Sequence, residues 1–143
     1  MSSDGETKYV IFKLNEEYYG VPIDNVLSIE KVVETTRIPN APDYINGVIN
    51  LRGEVIPIVS LKTKLGMEED SINKNSRVIV LTENEIVVGL VVDSSSEVLE
   101  IDKENIDKPP TAEDNQYIEY INGIGKVSGR LIILLNLGKI LEH

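Results

Sequence analysis

The chain repeats itself, and that internal repeat limits what its 143 residues can fold into. At an offset of 76, Gly53 meets Gly129, Val55-Ile56 meets Leu131-Ile132, and Ile58-Val59 meets Leu134-Leu135. Leu61 and Leu65 then meet Leu137 and Leu141. At an offset of 69, Gly20-Val21 meets Gly89-Leu90 and Ile23-Asp24 meets Val92-Asp93; Val10-Ile11 meets Val78-Ile79 at 68. Matched glycines in a sustained register separate this from chance similarity among Val- and Ile-rich strands. Each half reads as hairpin, short turn, strand, loop, hairpin and short helix, about five strands in all. One half is small for a stable core. The expectation is therefore a single domain, 1–143, built of two similar barrel subdomains over 8–66 and 76–141. They pack together, are not divided cleanly at the packing interface, and leave a groove between them.

The stretch Asn46–Leu61 shows the unit most clearly. Gly47–Arg52 reads as one strand, Gly53-Glu54 as the turn and Val55–Val59 as the returning strand. The second strand is apolar at nearly every position, which predicts burial on both faces, as in a small closed barrel. Pro57 cannot donate to a ladder and belongs at an edge or a bulge. Arg52 stands between an apolar strand and a turn. Either its head snorkels to water over a packed stem, or its guanidinium forks onto a carboxylate from another strand.

Elsewhere the pattern is short strands punctuated by turns. Lys8–Leu14 and Tyr18–Pro22 flank Asn15-Glu16-Glu17. Ile23–Val26 reads as one helical turn before a strand over Leu27–Val33, and Glu34–Pro42 reads as a loop. A short helix over Leu61–Leu65 closes on Gly66, and a polar, acidic loop follows over Met67–Asn75. Arg77–Thr82 and Ile86–Asp93 form a second hairpin. Val98–Ile101 is a short extended piece and Asp102–Gln116 an irregular connection. Tyr117–Val127, a turn at Ser128-Gly129, Arg130–Leu135 and a terminal helical turn complete the chain. The fold class is all-β, sandwich or barrel.

Composition narrows the function. Twenty-four acidic against 14 basic residues leave a formal charge of −10, which repels nucleic-acid backbones and anionic lipid. There is no cysteine, so disulfides, thiolate metal sites and a thiol nucleophile are out, and a reducing compartment fits. No apolar run has membrane-spanning length, and MSSDGETK lacks a signal-peptide core. Leu141-Glu142-His143 matches the start of a tag scar, so the single histidine is set aside from the chemistry.

Catalytic signatures are missing as well. Gly123-Ile124-Gly125 lies in a strand pattern with no helix start after it, so it is no phosphate loop. No serine sits in a nucleophile elbow. Glu68-Glu69-Asp70 lacks the ligand spacing and central glycine of a calcium loop. No metal, cofactor or catalytic residue is expected. An enzyme working through distant carboxylates is the minority reading.

Gly47-Val48-Ile49-Asn50-Leu51-Arg52-Gly53, with Val55-Ile56-Pro57-Ile58-Val59 and Leu61 after it, resembles the CheW family of bacterial chemotaxis coupling proteins. Phe12, Ile23–Val26 and Glu30 before a Pro-containing loop extend the likeness, as do Gly89–Asp93 and Ser128–Asn136. It spans about Tyr9–Ile140, nearly the whole chain, and the combination is specific. The resemblance implies two packed five-stranded SH3-like barrels with short helical turns. It also implies a non-enzymatic cytoplasmic adaptor joining chemoreceptor tips to the regulatory domain of the histidine kinase CheA. That domain shares the fold, so a stand-alone regulatory domain of such a kinase is the alternative.

By the same resemblance, Glu30 pairs with Arg52, as a structural ion pair or on the kinase side. Gly47, Leu51 and Gly53 are the other kinase-side candidates. A receptor-binding groove between the barrels falls to Val10, Ile23, Val26 and Ile29, with Val98 and Leu99 across it. Ile23 and Val26, three apart in a helical turn, can face one side; each, like Ile29, has core packing as its plain alternative. Ser94-Ser95-Ser96 departs from the family, whose members often carry apolar residues there.

Overall fold

A computed structural model describes residues 6–68, 72–110 and 117–142. Parts of the expected acidic loop and of the 102–116 connection lie outside these residues, as do Met1–Gly5 and His143. Eleven strands are described: β1 (Glu6–Leu14), β2 (Glu17–Pro22), β3 (Val26–Lys31), β4 (Ile45–Leu51), β5 (Glu54–Ser60), β6 (Arg77–Glu83), β7 (Ile86–Val92), β8 (Ser94–Asp102), β9 (Ile106–Asp107), β10 (Ile121–Val127) and β11 (Arg130–Leu135). Two four-residue helices, α1 (Leu61–Lys64) and α2 (Leu137–Ile140), follow β5 and β11. The fold is all-β: two packed SH3-like barrels with short helical turns.

The sheets do not follow the two sequence halves. One has the order β8-β1-β2-β11-β10-β9, the other β3-β6-β7-β5-β4. Each half gives its opening hairpin to the other half's barrel: β1–β2 joins β8–β11, and β6–β7 joins β3–β5. The repeat marks equivalent strands, while the division at 8–66 and 76–141 does not mark the barrels. Two parallel pairings make the exchange, β5 with β7 and β11 with β2, and they are repeat-related. Ile58 lies opposite Gly89, and Leu134 opposite Gly20. Glycine is needed at both crossings because the partner strand's side chain covers the site. A Cβ on Gly89 would come within 2.6 Å of Val78 and 2.8 Å of Ile58, and one on Gly20 within 3.1 Å of Leu134.

The exchange creates a shared core. Fifteen buried apolar residues form it among those described, including Val10, Phe12, Leu14, Val21, Val59, Ile79, Leu90, Leu135 and Ile140. Each barrel interior has fewer: six, centred on Ile58 and Val80, and four, centred on Ile11 and Ile132. Burying such a side chain contributes about 1.5–3 kcal/mol. Four or six cannot offset the ordering of their strands, which costs about 1–2 kcal/mol per residue in backbone entropy. The shared core holds the barrels closed. Strand alternation supplies it: in β1, Val10, Phe12 and Leu14 face it, while Tyr9 and Ile11 face the barrel interior.

Turns and bulges repeat too. Arg52-Gly53 and Ser128-Gly129 join β4–β5 and β10–β11, and all four residues have positive φ, as a two-residue primed turn requires. Sequence placed the first turn at Gly53-Glu54. Leu51 instead pairs with Glu54, so Arg52 belongs to the turn and not to the strand. Register shifts leave Leu27, Asn46, Ser96 and Asn122 as extra residues in their strands. β8 runs nine residues where a short piece was expected, because it pairs along β1. In β5 Ile56 and Ile58–Ser60 are buried; Val55 is exposed, and Pro57 precedes the segment shared with β7.

The crossings differ in tightness, and stability should register that. Gly89→Ala meets a stiff β-branched Val78 and is expected to cost about 1–3 kcal/mol, more than Gly20→Ala. Denaturant midpoints of the two variants check the order; a larger loss at Gly20 contradicts it.

Candidate partner-binding surface

The turn between β4 and β5 builds the polar part of the site. Arg52 has a φ of 51°, an uncommon conformation for a side-chain-bearing residue. Asn50 steadies the turn by accepting the Gly53 N–H at 2.9 Å. From this tip the Arg52 guanidinium donates to Glu30 Oε2 of β3 at 3.2 Å. The two readings of Arg52 are thus both partly met: its head lies in water, 72% exposed, while bonded to a carboxylate that is 22% exposed. A hydrogen bond from Ser28, and then Arg52, hold the Glu30 carboxyl below the usual carboxylate range against the opposing effect of its desolvation.

The other kinase-side candidates divide. Gly53 is exposed in the turn, and Leu51 packs half-buried against the first barrel's interior. Gly47 is a packing glycine with a φ of 145°, and a Cβ there would run into the Thr36 carbonyl. It offers no contact surface.

The six groove candidates also separate. Val10 is 2% exposed in the shared core, so its expected place on a surface is corrected: it is the floor, not the wall. Ile23 opens a single 3-10 turn and Val26 closes it, and both pack half-buried against the same core. Val98 lies directly opposite Val10 in the β1–β8 ladder, and Ile29 directly opposite the buried Ile79 in the β3–β6 ladder. Opposite residues share a sheet face. Both therefore stand at the rim of the shared core, Ile29 44% and Val98 49% exposed. They are repeat-equivalent, at an offset of 69. Leu99 faces the other way and packs into the second barrel's interior, because adjacent strand residues alternate. It cannot share a wall with Val98.

A cleft of about 600 Å³ lies under the loop after β3, lined by Arg37, Ile38, Asn40, Pro42 and Ile72 among others, and by none of the groove candidates. Among the described residues no acidic or histidine cluster is arranged to hold a metal ion, and no helix is long and apolar enough to cross a membrane. Among the ion pairs that went unread in the sequence, two are the least exposed. Arg130 bonds Glu97 at 2.6 Å and lies over the Tyr18 ring at 4.8 Å; Lys62 pairs with Asp93 at 2.9 Å. Each joins segments distant in sequence, so no local spacing announces it.

A family model described as the CheW-like domain matches residues 8–143. The chain belongs to the CheW-like family. The chemotaxis protein CheW of Klebsiella aerogenes is 40% identical over 141 residues, covering 96% of this chain and 85% of that protein. The chemotaxis protein CheW of Helicobacter pylori is 38% identical over 136 residues, covering 94% and 81%. Among solved structures, the scaffolding protein TtCheW of Thermoanaerobacter tengcongensis superposes with a TM-score of 0.87 at 35% identity, covering 99% of this chain and 91% of that one. The CheW-like barrels thus carry both the exposed turn and the apolar rim.

The charges around Glu30 give a prediction. Its carboxyl should titrate below the ordinary carboxylate value by carboxyl-carbon NMR, and both Ser28→Ala and Arg52→Ala should raise its pKa. Because the folded pKa is depressed, any stability from this carboxylate is present above the unfolded pKa and is lost as pH falls through the folded one. With Arg52 in water, a double-mutant cycle on Arg52 and Glu30 should show little coupling. A Glu30 that titrates at or above the ordinary carboxylate value contradicts the arrangement.

Proposed function

We propose that this CheW-like chain is a non-enzymatic scaffold of bacterial chemotaxis, coupling the cytoplasmic tip of a chemoreceptor to the regulatory domain of the histidine kinase CheA in the cytoplasm. Family membership over residues 8–143, with relatives named as chemotaxis proteins, carries the reading. An adaptor holds two partners at once and needs two surfaces. The apolar rim at Ile29 and Val98, with Ile23 and Val26 behind it, suits the apolar face of a receptor helix. The Arg52-Gly53 turn, with Glu30, is the kinase-side surface. The net charge of −10 favours basic patches on partners and association that weakens with salt, since fields are screened beyond about 8 Å at physiological ionic strength.

Val26 is half-buried against the shared core, so a charge there disturbs the fold along with any contact. Ile29 and Val98 are better probes. Ile29→Glu and Val98→Glu should keep the wild-type melting transition and weaken binding of a receptor-tip fragment by about thirtyfold or more. Both should leave affinity for the kinase regulatory domain within about threefold. Arg52→Ala should do the reverse. Titration calorimetry of each folded variant against both fragments decides. Loss of both partners together, or receptor binding untouched by either rim variant, removes the two-surface reading.

A further inference from the structure

The β1–β2 hairpin sits in the middle of its sheet, between β8 and β11, and all the strands it pairs with come from the second half of the chain. It puts Val10, Phe12, Leu14, Tyr19 and Val21 into the shared core and Ile11 into the second barrel. Its turn end is bonded to Asp93, whose N–H donates to the Lys13 carbonyl at 3.0 Å and whose Oδ2 accepts the Asn15 N–H at 2.6 Å. No contact of these kinds depends on which molecule supplies the hairpin.

The covalent route from the hairpin to the strands that follow is short. Between Pro22, the last residue of β2, and Val26, the first of β3, lies only the 3-10 turn Ile23–Asn25. That turn is closed by the Val26 N–H donating to the Ile23 carbonyl, and no side chain caps its start. Both flanks are already extended, Pro22 at φ −60° and ψ 134°, Val26 at φ −88° and ψ 124°. Straightening three residues therefore turns β2 and β3 into one continuous extended run. The repeat-equivalent hairpin β6–β7 lacks this freedom, because the segment after α1 holds it on one side and Asp93, the single residue before β8, on the other.

We propose that the β1–β2 hairpin is exchangeable and that the partner it fits is a second copy of this chain. Two chains straighten at Ile23–Asn25, and each seats its hairpin between β8 and β11 of the other. Closure within a chain and closure between chains make the same contacts outside the hinge. Their ratio is then the chain concentration over the effective concentration set by the tether, which is of about millimolar order for a short linker. A pair formed this way comes apart only by opening the shared core, so it outlasts dilution. The exchange rests on the chain's own contacts and needs neither partner proposed above.

The chain has no cysteine, so an introduced disulfide can report which molecule closes each barrel. Lys8 and Glu100 lie opposite each other in the β1–β8 ladder with exposed side chains, at a spacing that a disulfide spans. The whole chain carrying Lys8→Cys and Glu100→Cys is refolded reduced at about 1 mM or about 10 μM, diluted to one concentration, and only then oxidised. Non-reducing electrophoresis should show covalent dimers from the concentrated sample and about tenfold less, or lower, from the dilute one. Each single-cysteine variant should give none beyond background. Deleting Ile23–Asn25 removes the turn that closure within a chain requires, and the cysteine pair should then give covalent dimers even from the dilute refolding. Only intrachain disulfides after concentrated refolding overturn the exchange. So does a dimer in sedimentation whose cysteine pairs close within each chain, which is surface association, or a deletion variant that folds as a monomer. Should the deletion variant fail to fold, the concentration series on the full hinge still decides.

Discussion

Everything in this molecule depends on two parallel strand pairings, β5 with β7 and β11 with β2. Through them each half hands its first hairpin to the other, and the faces that close the barrels also build the core between them. Parallel neighbours cannot be joined by a tight turn, so each pairing ties together segments distant in sequence. Gly20 and Gly89 keep both crossings free of side chains where Leu134 and Ile58 lie across them. The stability of either barrel is therefore inseparable from that of the pair.

A shared core also arranges the surfaces. Ile29 and Val98 lie opposite its buried members on the edge strands β3 and β8, which is how they come to be exposed at matched positions. At the tip of β4–β5, Arg52 lies largely in water and bonds Glu30. An apolar rim and a polar tip at separate places are what the proposed two-partner scaffold requires. The repeat is broken at Lys62 against Gly138 and at Arg52 against Ser128, which distinguishes two otherwise similar barrels.

Much of the fold was legible because the signals were local or periodic. Offsets of 76 and 69 gave the repeat, alternation in Lys8–Leu14 gave β1, and Ser128-Gly129 gave its turn. The exchange of hairpins was not legible: Val- and Ile-rich strands fit several neighbours equally, and only the packing of the whole selects one. Arg52 was placed in a strand although the repeat held the answer: at an offset of 76, the turn Ser128-Gly129 aligns with Arg52-Gly53. For the site, the Arg52–Glu30 pairing came from family likeness and the geometry brings the two together. Val10 and Leu99 went astray because a list of apolar positions does not say which face each takes. Val10 points into the core and Leu99 into a barrel, while Val98, opposite Val10 and adjacent to Leu99, emerges.

Fragment complementation tests the reciprocal exchange most directly. Residues 8–66 and 76–141, produced as separate chains, each lack the hairpin that closes their barrel. Neither should give a folded monomer, judged by amide dispersion in proton–nitrogen NMR and by sedimentation, and mixing them in equal amounts should restore the spectrum of the intact chain. A half that folds alone as a monomer, with a cooperative melting transition of its own, would contradict the account.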